Sequence, residues 1–283
     1  RRFHARGGKR GPVVDRHRPP YDLTPEGCVP PPERNVAMTD HNPYAAPEAP
    51  MTVGGPPPIP AGGSLTETLA GRNHWTIGEL LSDSWRLVSG FKGTCWLAIL
   101  LFFVICVLSG IIDAAVGIAT GSEPAERIVG YVTTALLVWP AQVGLSVLGA
   151  RRAAGAETRV STLGAMYPQC GRIAGVMILQ ALLICLGFIC LIIPGIYLAV
   201  SYSLAPLLLV DRGLGAWESM ETSRRVIGTC WFRTAGLIVT LFAFALLAIP
   251  TLGIGLIWLM PFFLICWGML YHRLVGFAGG KDI

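Results

Sequence analysis

Between Trp96 and Ile112 the chain runs for seventeen residues without a charge, and the residue that ends the run is Asp113. A carboxylate in hydrocarbon is expensive, so Asp113 reads either as a ligand for an ion or substrate or as a group held at the water boundary. Gln142 and Gln180 stand in further uncharged runs. With Ser201, Tyr202 and Ser203 they could line a polar path between helices, or hydrogen-bond across helix contacts. The densest charged cluster is Asp211, Arg212, Glu218, Glu221, Arg224 and Arg225. It reads as a solvated loop with local ion pairs or as a surface that meets anionic lipid headgroups or a cytoplasmic partner. Within it, Glu221 and Arg225 have the i, i+4 spacing of a helical ion pair.

Catalytic signatures are missing from the sequence: there is no H-E-x-x-H, no G-x-S-x-G and no G-x-x-x-x-G-K-[ST]. His272, beside Tyr271, reads as a boundary residue. None of the eight cysteines forms a C-x-x-C pair and the five histidines are scattered, so no metal site, disulfide framework or cofactor is expected.

The elements that must position these residues follow from length and charge. Of 283 residues, 53% are hydrophobic and only 14% charged, against about 25% charged in a soluble protein. Mean hydropathy is +0.57. The net charge of +5 is no sign of nucleic-acid binding, because residues 1–37 carry eight Lys/Arg against four acids, or +4, and the other 246 residues only +1. That leader lacks the apolar core of a secretory signal, and a start at Met38 or Met51 is expected. From Met38 to about Asn73 the chain is rich in Pro, Gly, Ala and Thr and is expected to be a flexible tail.

A helix needs about 20 apolar residues to cross a bilayer core of about 30 Å. Trp96–Ile112 and Ile128–Ala150 each supply one span. Ile173–Val210 is 38 residues without a charge. As one helix it would reach roughly 57 Å, so it must turn. Pro194-Gly195 is the expected turn, because proline removes a helical donor and glycine tolerates a left-handed reversal. Thr234–Tyr271 is again 38 residues, with Pro250, Gly253 and Gly255 near its middle. Six spans result, in three hairpins, with Pro140, Pro206 and Pro261 inside spans as kink sites. From Arg72 onward, thirteen Lys/Arg fall on one set of loops and only Arg127 on the other, which predicts that both termini are cytoplasmic.

A cytoplasmic segment precedes each hairpin, with an apolar anchor nine residues before an arginine: Ile77 and Arg86, Leu163 and Arg172, Ala216 and Arg225. In T-I-G-E-L-L-S-D-S-W-R-L-V, Ile77, Leu80, Leu81, Ser84, Leu87 and Val88 share a helical face, Thr76 with Glu79 predicts a capping box, and the helix is expected to lie along the inner membrane surface. G-A-W-E-S-M-E-T-S-R-R-V-I-G repeats the arrangement, with Trp217, Met220 and Ile227 facing lipid or protein. G-T-C-W occurs twice, at Gly93–Trp96 and Gly228–Trp231, each before a span, consistent with a repeated helix-plus-hairpin unit.

The stretch L-I-I-P-G-I-Y-L-A-V-S-Y-S-L-A-P at 191–206, followed by V-D-R-G-L-G-A-W-E-S-M-E-T-S-R-R-V-I-G-T-C-W at 210–231, resembles the YciC-like bacterial inner-membrane family. It is also similar to the membrane portion of some glycerophosphoryl diester phosphodiesterases, whose catalytic barrel has no counterpart here. The resemblance covers roughly Trp75–Leu274 and implies a polytopic membrane fold without a settled activity.

The sequence therefore predicts an all-α, polytopic helical membrane protein with six transmembrane helices and cytoplasmic interfacial amphipathic helices. Residues 1–74 are leader and tail, 75–274 the membrane domain, and 275–283 a short cytoplasmic tail. The expected activity is membrane organisation or binding of lipid or a protein partner in the bacterial inner membrane, without catalysis. A small transporter or channel subunit for a neutral or lipid-like substrate is the runner-up, and an intramembrane enzyme comes third.

Overall fold

Apolar periodicity without strand alternation leaves the chain one way to satisfy its backbone in lipid, and every regular element among the described residues is helical. The computed structural model describes residues 61–249 and 255–279. In order the elements are α1 (Leu65–Leu69), α2 (Ile77–Leu87), α3 (Lys92–Thr120), α4 (Glu123–Thr133), α5 (Trp139–Ala153), α6 (Cys170–Cys190), α7 (Ile192–Ser201), α8 (Ala205–Arg212), α9 (Ala216–Gly228), α10 (Trp231–Ala248) and α11 (Leu256–Val275).

Among the described residues, six helical stretches are long and apolar enough to cross a membrane: Lys92–Thr120, Glu123–Ala153, Val160–Cys190, Ile192–Arg212, Trp231–Ala248 and Ile257–Val275. The chain is a polytopic all-α membrane protein. Its outer surface carries large apolar side chains turned outward, such as Ile118, Ile189, Ile193 and Phe232, which a lipid solvent accommodates.

The second stretch holds together across Pro140 because a π turn, Thr134–Val138, joins α4 to α5 and widens the helix just before the proline. The fourth stretch breaks at Tyr202–Leu204, giving α7 and α8, with Pro206 as the second residue of α8. A capping box forms at Thr76 and Glu79 as the sequence predicts: the Thr76 hydroxyl accepts from the Glu79 N–H at 3.3 Å and the Glu79 carboxylate accepts from the Thr76 N–H at 3.4 Å.

The turn of the second hairpin differs from expectation. It falls at Leu191, whose extended backbone (φ −168°, ψ 153°) separates α6 from α7, and not at Pro194-Gly195. Pro194 is the third residue of α7, where a missing N–H costs nothing because first-turn donors have no intrahelical acceptor. Gly195 serves a different end. It is helical, and a Cβ there would lie 2.5 Å from the Phe188 ring, while one on Gly187 would lie 3.0 Å from the Gly195 Cα. Pro250 and Gly253, the expected turn of the third hairpin, lie outside the described residues.

α5 is the centre of the packing. Pro140, Ala141, Val143, Gly144, Leu145, Val147, Leu148, Gly149, Ala150 and Ala153 are all buried. A Cβ on Gly149 would meet the Leu264 carbonyl oxygen at 2.2 Å, and one on Gly268 the Gly149 carbonyl carbon at the same distance, so α5 and α11 touch backbone to backbone. Gly144 receives Leu163, which lies between the 3₁₀ segments Val160–Thr162 and Gly164–Gln169 that precede α6. α2 lies lengthwise along the α10–α11 hairpin: Ile77 reaches Gly236, and Trp85 meets Phe262 edge-on at 5.5 Å. Met220 and Ile227 of α9 are buried against protein, whereas Trp217 is exposed.

The G-T-C-W repeat acquires a structural meaning. Cys95 and Cys230 are both buried. Trp96 donates its indole N–H to the Ile257 carbonyl at 3.2 Å, and Trp231 donates to the Tyr197 carbonyl at 3.5 Å. Each copy ties the start of one hairpin to the outgoing helix of another. Residues 61–74, read from sequence as tail, include α1, with Thr68 buried.

The Gly149–Gly268 contact leaves no room for a methyl group. Gly268→Val should lower stability in detergent by about 1–3 kcal/mol or prevent folding. Gly164→Val, where a Cβ meets nothing within 4 Å, should leave the melting temperature close to wild type.

Candidate functional site

The charged residues singled out from sequence fall into two groups: Asp211 and Arg212 at the end of α8, against the C-terminal end of the described residues, and Glu218, Glu221, Arg224 and Arg225 along α9. Asp211, on the last turn of α8, is 4% exposed. Its carboxylate accepts from the Tyr271 hydroxyl at 2.7 Å and from the backbone N–H groups of Ala278 and Gly279, each at 3.1 Å. Arg212 adds an ion pair at 3.4 Å and donates to the Val275 and Gly276 carbonyls at 2.8 and 2.6 Å. A buried carboxylate so supplied with donors has its hydrogen-bonding capacity met within the fold, so its burial calls for no ligand. Residues 276–279 belong to the segment 275–283 that the sequence assigned to a short cytoplasmic tail, and Asp211 and Arg212 hold them through Gly276, Ala278 and Gly279.

Glu221 of α9 forms the predicted pair with Arg225 at 2.8 Å, and Arg224 adds two further contacts of 2.8 Å. Hydrogen bonds from Arg224 and then Arg225 hold the Glu221 carboxyl at about 2, well below the usual glutamate range, and the same pairing raises Arg224. Glu218 is exposed in the first turn of α9, where an acid favours the positive end of the helix dipole.

Asp113 is not isolated. Its Oδ1 accepts from the Thr133 hydroxyl at 2.7 Å, tying α3 to α4, and it lines a cleft of about 460 Å³ with Glu123, Glu126, Arg127 and Gly130. Asp113 lies about two turns before the end of α3, which continues to Thr120. Gln142 is exposed on α5. Gln180 is half-buried on α6, with its side-chain oxygen unpaired among the described residues. Ser201 and Ser203 flank the break before α8, and their hydroxyls also lack partners there, while the Ser201 carbonyl accepts from Ser223 at 2.7 Å.

Four arginines matter in a way the sequence does not announce. Arg152 donates to the Leu87 carbonyl at 3.0 Å and to that of Ser89, with its guanidinium 5.9 Å from the Phe91 ring. Arg172 donates to the Gly213 and Leu214 carbonyls, both at 2.9 Å. Arg212 does the same at Val275 and Gly276. Each therefore closes the C-terminal end of a helix, α2, α8 or α11, where carbonyls lack intrahelical donors and the dipole favours a cation. Arg273, mostly buried, pairs with Asp83 and, at 3.6 Å, with Glu79 of α2. By contrast, Arg72, Arg86, Lys92 and Arg233 make no ion pair among the described residues. No cluster of three or more His, Cys, Asp or Glu suited to a metal is found among them either.

Two substitutions separate anchoring from local pairing. Asp211→Ala leaves Arg212 without its partner and should cost about 3–5 kcal/mol, with hydrogen exchange rising at 276–279. Tyr271→Phe should cost only about 1 kcal/mol. Glu221 has its carboxyl depressed in the folded state, so its contribution is present above the unfolded value of about 4.3 and is lost as pH falls toward 2. The stability difference between wild type and Glu221→Gln should therefore be constant above about pH 5 and shrink below it.

Comparison with protein-family models, with curated proteins and with solved structures finds no match for this chain.

Proposed function

We propose that the chain is a multi-pass protein of the bacterial inner membrane, with both termini cytoplasmic, that organises the membrane without catalysis by binding anionic lipid or a protein partner at its basic end. The observation that carries this reading is the division among the cations. Arg152, Arg172, Arg212, Arg224, Arg225 and Arg273 are engaged with carbonyls or carboxylates of the fold. Arg72, Arg86, Lys92 and Arg233 are left without such acceptors among the described residues, and anionic headgroups would supply them. The likeness to YciC-like membrane proteins stands beside this reading and is consistent with it.

A second reading, a transporter for a neutral or lipid-like solute, draws on the break between α7 and α8. The unpaired Ser201 and Ser203 hydroxyls there are the kind of polar backbone interruption at which carriers bind substrate.

Ligands that bind only the folded state raise stability by mass action. Adding phosphatidylglycerol to the purified chain in neutral detergent should therefore raise its melting temperature more than phosphatidylcholine does, with the excess lost in high salt. An Arg72→Gln/Arg86→Gln/Lys92→Gln/Arg233→Gln variant should lose the excess as well. Equal effects of the two lipids would overturn the lipid-binding reading. Saturable solute uptake into proteoliposomes that disappears in Ser201→Ala/Ser203→Ala would put the transporter in its place.

A further inference from the structure

Two of the unpaired cations border an apolar groove. α10 buries only Thr234, Leu237 and Ala248 along its length, and the space it leaves against α2 and α11 forms two adjoining lobes. The first, about 520 Å³, is lined by Leu81, Ser82, Trp85, Phe244, Leu259 and Phe262, with Arg86 at its edge. The second, about 330 Å³, shares Trp85, Phe244 and Leu259 with the first and continues past Leu247 to Trp258. Lys92 sits at that side, its ammonium 5.4 Å from the centre of the Trp258 ring. Both lobes fall in the range of about 300–1,000 Å³ typical of small-ligand sites.

The charge around the groove has one sign. The two acids of α2, Glu79 and Asp83, are turned to Arg273, so they do not neutralise Arg86. Lys92 is next to Phe91, on the α2–α3 connection that Arg152 closes, which puts it at the same end of α3 as Arg86. Two of the helices forming the walls, α10 and α11, are long and apolar enough to cross a membrane, which favours lipid as the medium that reaches the groove.

We infer that this groove between α2, α10 and α11 is a discrete binding site for one anionic phospholipid. Its acyl chain lies along Trp85, Phe244, Leu259 and Phe262, and its phosphate meets Arg86 and Lys92. The apolar walls exclude a free phosphate as occupant, and the paired cations favour an anionic over a zwitterionic headgroup. The inference rests on the lipid-binding reading above and narrows it to one place and one stoichiometry.

Native mass spectrometry of the full-length chain, released from neutral micelles containing phosphatidylglycerol and phosphatidylcholine in equal amounts, tests the site. Wild type should retain a single phosphatidylglycerol. Arg86→Gln/Lys92→Gln should weaken that retention by about thirtyfold. Ser82→Trp, which fills the mouth of the groove from an exposed position, should abolish it while circular dichroism and melting in micelles stay near wild type. Arg159→Gln, a control at an exposed arginine that pairs with Glu157 away from the groove, should retain the lipid. If wild type prefers phosphatidylglycerol but the groove variants keep it, the site is elsewhere and this inference fails while the general reading stands. If wild type shows no preference, both fail. A retained polypeptide that Ser82→Trp removes would make the occupant a protein and overturn the lipid assignment.

Discussion

Everything else in the structure depends on how closely the α5 and α11 backbones approach at Gly149 and Gly268. In lipid there is little hydrophobic gain from bringing one apolar helix against another, so packing density and small residues decide which helices associate. A pair of glycines facing each other lets two main chains touch, and the neighbouring Ala150 and Ala153 keep the α5 surface shallow. Once α11 is fixed there, α2 has a surface to lie on, and the end of α11 reaches the charges of α8. Gly144, on the same helix, does for the 3₁₀ segment before α6 what Gly149 does for α11.

The basic residues that would orient the chain in a membrane are also structural parts. Arg152, Arg172 and Arg212 each close the C-terminal carbonyls of a helix from a different part of the sequence. A cation at these positions satisfies acceptors that would otherwise be stranded near a low-dielectric boundary, so charge asymmetry and helix termination have one cause. Trp258 and Ile257 sit beside Lys92 and Trp96, so the start of α11 is tied to the start of α3.

The six spans were legible because length and the absence of charge leave no alternative, and the capping box at Thr76 and the Glu221–Arg225 pair because each is local in sequence. The turn at Leu191 was not. Proline is read as a breaker, but in a first turn it breaks nothing, and an extended leucine carries no signature. Asp211 looked like one member of a solvated cluster, since nothing local shows that Tyr271 and the backbone at Ala278 would close over it. Arg152, Arg172 and Arg212 could not be told from Arg86 and Arg233, because what distinguishes them is a carbonyl at least forty residues away. α1 escaped notice because five residues give too short a pattern, and its order comes from α11.

That last contact sets a sequence of events. Gly63 donates to the His272 carbonyl at 2.9 Å, and the Thr68 hydroxyl donates to the Leu274 carbonyl at 2.6 Å, across 206 residues. Asn73 reaches the Arg273 carbonyl from the same side. A ribosome makes the early strap long before its partner helix exists, so the strap has to wait through the insertion of all the other spans. The clasp can close only once α11 has been made, and its closing marks a chain in which that helix is in place.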